Sequence, residues 1–91
     1  MFRAQIDQSP SGPTLKMEGR LVGPWADEAK SLVNNGSVPK GLIIDITDVS
    51  YVDPVGEQAL RWFASIGALF AAKAVYARLV CEQLQLPLQP T

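Results

Sequence analysis

The sequence predicts a single α/β domain, ordered β-β-α-β-α-β-α, with helices packed on a mixed four-stranded sheet whose first strand is an antiparallel edge. Three observations carry that expectation. The chain is 91 residues long, enough for one domain and one core, and 47% of it is hydrophobic against 19% charged, as in ordinary globular domains. Two early segments alternate apolar and polar side chains with the period of half-buried strands. Further on, apolar strand-like runs are separated by helix-patterned segments, the arrangement of strands joined by right-handed crossovers.

The first strand is read from Phe2, Ala4 and Ile6, which alternate with Arg3, Gln5 and Asp7. Leu15 and Met17 alternate in the same way with Lys16 and Glu18. Between them, Gln8-Ser9-Pro10-Ser11-Gly12-Pro13 has turn composition, so the pair is expected as a hairpin with one solvated face. Gly23-Pro24 ends the second strand. Proline in the first turn, Asp27 and Glu28 early, and apolar positions 25, 29, 32 and 33 predict a helix from Pro24, and Gly36 suits its left-handed exit. Gly41 to Ile46 is an apolar, β-branched run without alternation, which predicts a central strand covered on both faces.

Asp53-Pro54 marks a helix start twice over. Aspartate is a preferred N-cap acceptor, and proline lacks an N–H that the first helical position does not need. The helix is expected over Pro54–Ser65, with an apolar stripe of Val55 or Gly56, Ala59, Leu60, Phe63 and Ala64, and with Gln58, Arg61, Trp62 and Ser65 on the other side. Gly67 closes it. Ala68 to Ala72 reads as the last strand and Ala74 to Leu84 as the last helix, its apolar positions including Val75 and Leu79. Pro87 and Pro90 are expected to end regular structure, which leaves an ordered core of about residues 2–86 and a tail over 87–91.

Composition narrows the function classes. The net charge is −1 and the basic residues are scattered singly, so nothing marks a nucleic-acid or anionic-lipid surface. The N-terminal alternation does not read as a secretory signal, and Arg61, Lys73 and Arg78 interrupt the apolar stretch from Leu60 to Val80. The expectation is a cytoplasmic protein without direct membrane insertion. Cys81, among Leu79, Val80 and Leu84, reads as core packing. The absence of histidine, of a Gly-rich phosphate loop and of a Ser-His-Asp set leaves few players for catalysis, so no catalytic residue, metal or cofactor is assigned.

The segments Leu15–Leu21, Gly41–Gly56 and Ala59-Leu60 together resemble the STAS domain, the fold of anti-sigma factor antagonists and of the cytoplasmic tails of sulfate transporters. The likeness covers about positions 2–86. Its most specific part is a hydrophobic strand ending in Asp45, a seven-residue link, and Asp53 opening a helix through Asp-x-x-Gly. The resemblance implies a partner switch, in which a serine directly before that glycine is phosphorylated by a kinase-type anti-sigma factor and the free form captures the partner. A dianion at a helix N-terminus meets free N–H groups and alters the docking surface by about two charges. In this chain the corresponding residue is Val55, preceded by Pro54, and neither has a hydroxyl.

The resemblance therefore implies a non-enzymatic domain that binds a protein partner without phosphorylation at the usual position. The expected surface is a 50–58 loop and the second helix: Ser50, Tyr51, Asp53, Pro54, Val55, Gly56, Glu57, Gln58, Arg61 and Trp62. The partner it implies is a kinase-type anti-sigma factor or related regulator, with homodimerisation left open. Capping accounts for Asp53, and helix stability accounts for Glu57. For Trp62, an interface role and packing against the fold are equally compatible with the pattern. One alternative is a STAS accessory subunit of a lipid-transport ABC-type complex. Another is a Mg²⁺-dependent phosphoacceptor at Asp45, Asp48 and Asp53, with Glu57 nearby, at the carboxyl end of the central strand.

Overall fold

The computed structural model describes residues 2–9, 12–34 and 41–89. Its elements are β1 (Phe2–Ser9), β2 (Gly12–Leu21), α1 (Pro24–Asn34), β3 (Ile43–Val52), α2 (Pro54–Ser65), β4 (Leu69–Ala71) and α3 (Val75–Leu84). The sheet order is β1-β2-β3-β4, with β1 antiparallel to β2 and the other two pairings parallel. The chain has the α/β order expected from its patterning. The hairpin is tighter than its composition suggests: the ladder continues to Ser9↔Gly12, so most of the supposed turn is strand. Gly36 lies outside the described residues.

β2-α1-β3 and β3-α2-β4 step across the sheet in the same direction. Crossovers of one hand then place both helices on the same face, and α3 joins them there. Leu15, Met17 and Leu21 of β2, Ile44, Ile46, Val49 and Val52 of β3, and Phe70 of β4 form one buried cluster with Ala26, Ala29 and Val33 of α1, Ala59, Leu60 and Phe63 of α2, and Ala77, Val80 and Cys81 of α3. The opposite face carries Lys16, whose Nζ lies 3.8 Å from Glu18 and 3.7 Å from Asp48. The central strand is thus covered on one face, not two: Ile43, Asp45 and Thr47 are half-exposed on the side without helices.

β3 also runs longer than Gly41–Ile46, and its burial period changes along its length. Residues 44 and 46 are buried in alternation, then 49 and 52 at every third position. The register explains this. Between Lys16↔Asp45 and Glu18↔Asp48, and again between Gly19↔Val49 and Arg20↔Tyr51, β3 spends one more residue than β2. Each such bulge shifts the phase and bends the strand. The Asp45 carboxylate accepts from the Thr47 N–H at 3.0 Å within the first of them.

Two helical faces differ from expectation. On α1, Trp25 and Leu32 are exposed, while Ala26, Ala29 and Val33 meet the core. On α3, Val75 and Leu79 are exposed and Ala77, Val80 and Cys81 are buried. Both helices are apolar over more than one stripe, so their rotation is set by what they dock against. α3 is fixed in part through its own Tyr76, whose hydroxyl accepts from the Val52 N–H of β3 at 2.9 Å. The tail is not free of the sheet either. The Phe70 N–H donates to the Pro87 carbonyl and the Gln89 N–H to the Phe70 carbonyl, both at 2.8 Å, so Leu88 forms a parallel bridge with Phe70 and Leu86 is buried.

Candidate functional site

The end of β3 and the start of α2 form one rigid corner. Asp53 is extended, with φ −90° and ψ 177°, and its Oδ1 accepts from the Gly56 N–H at 2.7 Å as an N-cap should. Its other oxygen, Oδ2, accepts from the Gly23 N–H at 3.1 Å, thirty residues earlier in the turn between β2 and α1. The Asp53 N–H donates to the Leu21 carbonyl at 3.3 Å. One residue thereby joins the starts of two helices, through its side chain, to the end of β2, through its backbone. Capping was legible in the sequence; the link to Gly23 was not, because nothing local pairs residues so far apart.

Gly56 completes the corner. It is buried, and a Cβ at this position would overlap the Leu21 carbonyl oxygen and approach Val52 Cγ1 at 2.9 Å. The Asp-x-x-Gly spacing therefore has a steric meaning in this chain. The aspartate caps the helix, and the glycine lets its first turn lie against the β2 backbone.

Around this corner the second bulge of β3 turns two consecutive side chains outward, Ser50 and Tyr51, both exposed. Tyr51 is 45% exposed and carries the Arg20 guanidinium 5.2 Å from its ring centroid. Beyond the cap, Pro54 and Val55 are exposed, Val55 to 42%. Gln58 and Arg61 continue this exposed side along α2, with Glu57 half-buried. The segment is thus the end of a strand, a cap and the first turns of a helix, not a loop over 50–58. Its exposed chemistry is an aromatic ring, an aliphatic side chain and a cation.

Trp62 belongs to the packing. Its ring meets Phe63 edge-on at 5.3 Å, and Lys30 of α1 lies 5.4 Å from its centroid, so α1 covers it in part. The acidic residues do not converge. Asp45 and Asp48 sit on the face without helices, engaged with the Thr47 N–H and Lys16, while Asp53 is occupied at the helix start. Among the described residues no group of three acidic, cysteine or histidine side chains is arranged to hold a metal ion. Cys81 is buried, and desolvation pushes its thiol up to about 11, which makes it a poor nucleophile. Among the described residues no helix is long and apolar enough to cross a membrane.

No protein-family model matches the chain, and no curated protein matches it in sequence. Its fold does match solved structures. Over its whole length it superposes on 87% of an anti-sigma factor antagonist from Mycobacterium paratuberculosis, at a TM-score of 0.68 and 18% identity. The anti-sigma factor antagonist SpoIIAA in its unphosphorylated form matches 98% of the chain over 89% of its own, at a TM-score of 0.63 and 15% identity. A STAS-domain antisigma-factor antagonist from Rhodobacter sphaeroides matches 84% of the chain over 89% of its own, at a TM-score of 0.61 and 18% identity. At these identities the likeness is one of fold, and that fold is the STAS domain.

Proposed function

We propose that this STAS-fold chain is a non-catalytic regulatory domain that docks a protein partner through the end of β3 and the first turns of α2. By analogy with the antagonists that share the fold, the partner is a kinase-type anti-sigma factor or a related regulator. One observation supports the location: Tyr51 and Val55 expose 45% and 42% of their surface on either side of a helix start held by Asp53 and Gly56. Apolar and aromatic groups on a pre-organised corner lose little conformational freedom on binding, which is what a docking anchor requires.

Regulation at this corner differs from the phospho-switch that the fold resemblance implies. Val55 is at the serine position and offers no hydroxyl, and Pro54 before it offers none. The domain is read as binding without being phosphorylated there, controlled by the supply of partner. Ser50 and Tyr51 are the nearby hydroxyls that the bulge turns outward.

The test is binding of purified kinase-type anti-sigma factors from the same cell, with Tyr51→Ala and Val55→Asp as variants. Each is expected to weaken binding at least tenfold, on the order of one anchor residue, with unchanged thermal stability. Binding to an ATPase transporter subunit and to no kinase-type protein would replace this reading with that of an accessory subunit. Incorporation of labelled phosphate at Ser50 or Tyr51 on incubation with the partner and ATP would remove the claim of phosphorylation-independent control.

A further inference from the structure

The two edges of the sheet are treated differently. At β4 the edge is only three residues long and is closed by the tail, through the Phe70–Pro87 and Gln89–Phe70 hydrogen bonds. At the other side β1 is an eight-residue edge, paired in unbroken register with β2 and with no neighbour on its outer side among the described residues. β1 contains neither lysine nor proline and is interrupted by no bulge, and its charged side chains are one of each sign, Arg3 and Asp7, so they oppose pairing only with a strand that sets like charges against them.

We propose that two copies of this chain pair through β1 in antiparallel fashion, centred on Gln5, to form a two-fold dimer with a continuous eight-stranded sheet. The sequence of β1 is complementary to itself in that one register. Gln5 faces Gln5 of the second copy, Arg3 faces Asp7, Asp7 faces Arg3, and Ala4 faces Ile6. Arg3 and Asp7 are exposed, lie on the face without helices, and take part in no ion pair among the described residues. Cross-strand opposite charges stabilise a pairing and like charges oppose it. A slip by one residue would place the helices of the two copies on opposite faces of the sheet, and a slip by two would separate both Arg3–Asp7 pairs.

A second feature lies along the same edge. Helical periodicity puts Trp25 and Leu32 on one flank of α1 and Lys30 on the other. Lys30 reaches Trp62 of α2, whereas Trp25 stacks on Phe2 at the start of β1, with ring centroids 6.1 Å apart. The flank bearing Trp25 and Leu32, 42% and 40% exposed, is therefore the one beside the open edge. With both copies on the same side of a continuous sheet, those flanks cover the seam from the helical side. An apolar flank beside an unpaired, self-complementary strand identifies a second copy of this chain as the occupant. The inference does not depend on the partner proposed above.

Sedimentation equilibrium of the full chain over a concentration series tests it, with Arg3→Asp, Asp7→Arg and the double exchange. Each single reversal turns two attractive cross-strand pairs into repulsive ones and is expected to weaken the dimer about tenfold or more. The double exchange restores opposite charges and is expected to recover the wild-type constant. Gln5→Cys tests the register separately. Residues directly opposed on antiparallel strands have Cα atoms about 4.5–5.5 Å apart, within disulfide range, so mild oxidation should yield a covalent dimer while buried Cys81 stays reduced. A chain that stays monomeric to about 1 mM, or a dimer indifferent to both reversals, would overturn the proposal. So would preferential pairing of β1 with an unrelated extended peptide.

Discussion

A Cβ built on Gly56 would overlap the carbonyl oxygen of Leu21, so the first turn of α2 rests directly on the last residue of β2. Neither group can yield easily, since the oxygen is backbone at the end of a central strand and the glycine is held by the Asp53 cap. The consequences are specific to the corner that carries the proposed docking surface.

Gly56→Ala is therefore expected to destabilise the domain, although alanine is the better helix former. Overpacking against backbone should cost about 3 kcal/mol, the upper part of the usual range. In a domain of this size that lowers Tm by roughly 10 °C or more, readable by circular dichroism. An unchanged Tm would mean that α2 can lift from β2 freely.

Asp53 holds two N–H groups, and two substitutions separate them. Asp53→Ala loses both bonds and should cost about 2 kcal/mol. Asp53→Ser keeps a helix cap for Gly56 while being too short to hold Gly23 as well, so it should cost about 1 kcal/mol. Chemical denaturation of both variants decides the matter: equal losses would show that the Gly23 link contributes nothing.

Cys81 gives a pH signature. Burial raises its thiol from an ordinary value of 9.0 to about 11 in the folded chain. Below pH 9 the thiol is protonated in both states and favours neither. Between about 9 and 11 the unfolded chain ionises first, so stability is lost as pH rises through that window. The difference between wild type and Cys81→Ala, measured by urea denaturation from pH 8 to 11, should shrink across it by about 1–3 kcal/mol.

Trp62→Ala should act on the fold. Losing the edge contact with Phe63 and the cover from Lys30 is expected to cost about 2–3 kcal/mol. Any loss of partner binding in that variant is to be compared with Tyr51→Ala, whose side chain is exposed and whose removal should leave Tm within about 2 °C. A fully stable Trp62→Ala would return this residue to the docking surface.

The parts legible in the sequence are those that depend on neighbours a few positions away. Alternation marked β1 and β2, and Asp53-Pro54 set the start of α2 at the residue where it begins. The seven residues after Asp45 read as a link because two bulges break the strand period. Only the partner strand β2 reveals that the ladder continues through Asp48, Val49 and Tyr51 to Val52.

What the chain determined by itself is the order of its elements, the capped helix start and the absence of a hydroxyl at Pro54 and Val55, all consequences of local backbone preference and side-chain chemistry. The tertiary structure decided which stripe of α1 and α3 is buried, that Trp62 is covered by α1, that Asp53 reaches Gly23, and that Leu88 closes one sheet edge while β1 leaves the other open. Those outcomes rest on contacts between residues distant in sequence. The physical reason is that an amphipathic pattern states how much surface an element must bury, while the rotation of a helix or the pairing of an edge is chosen only by what it meets.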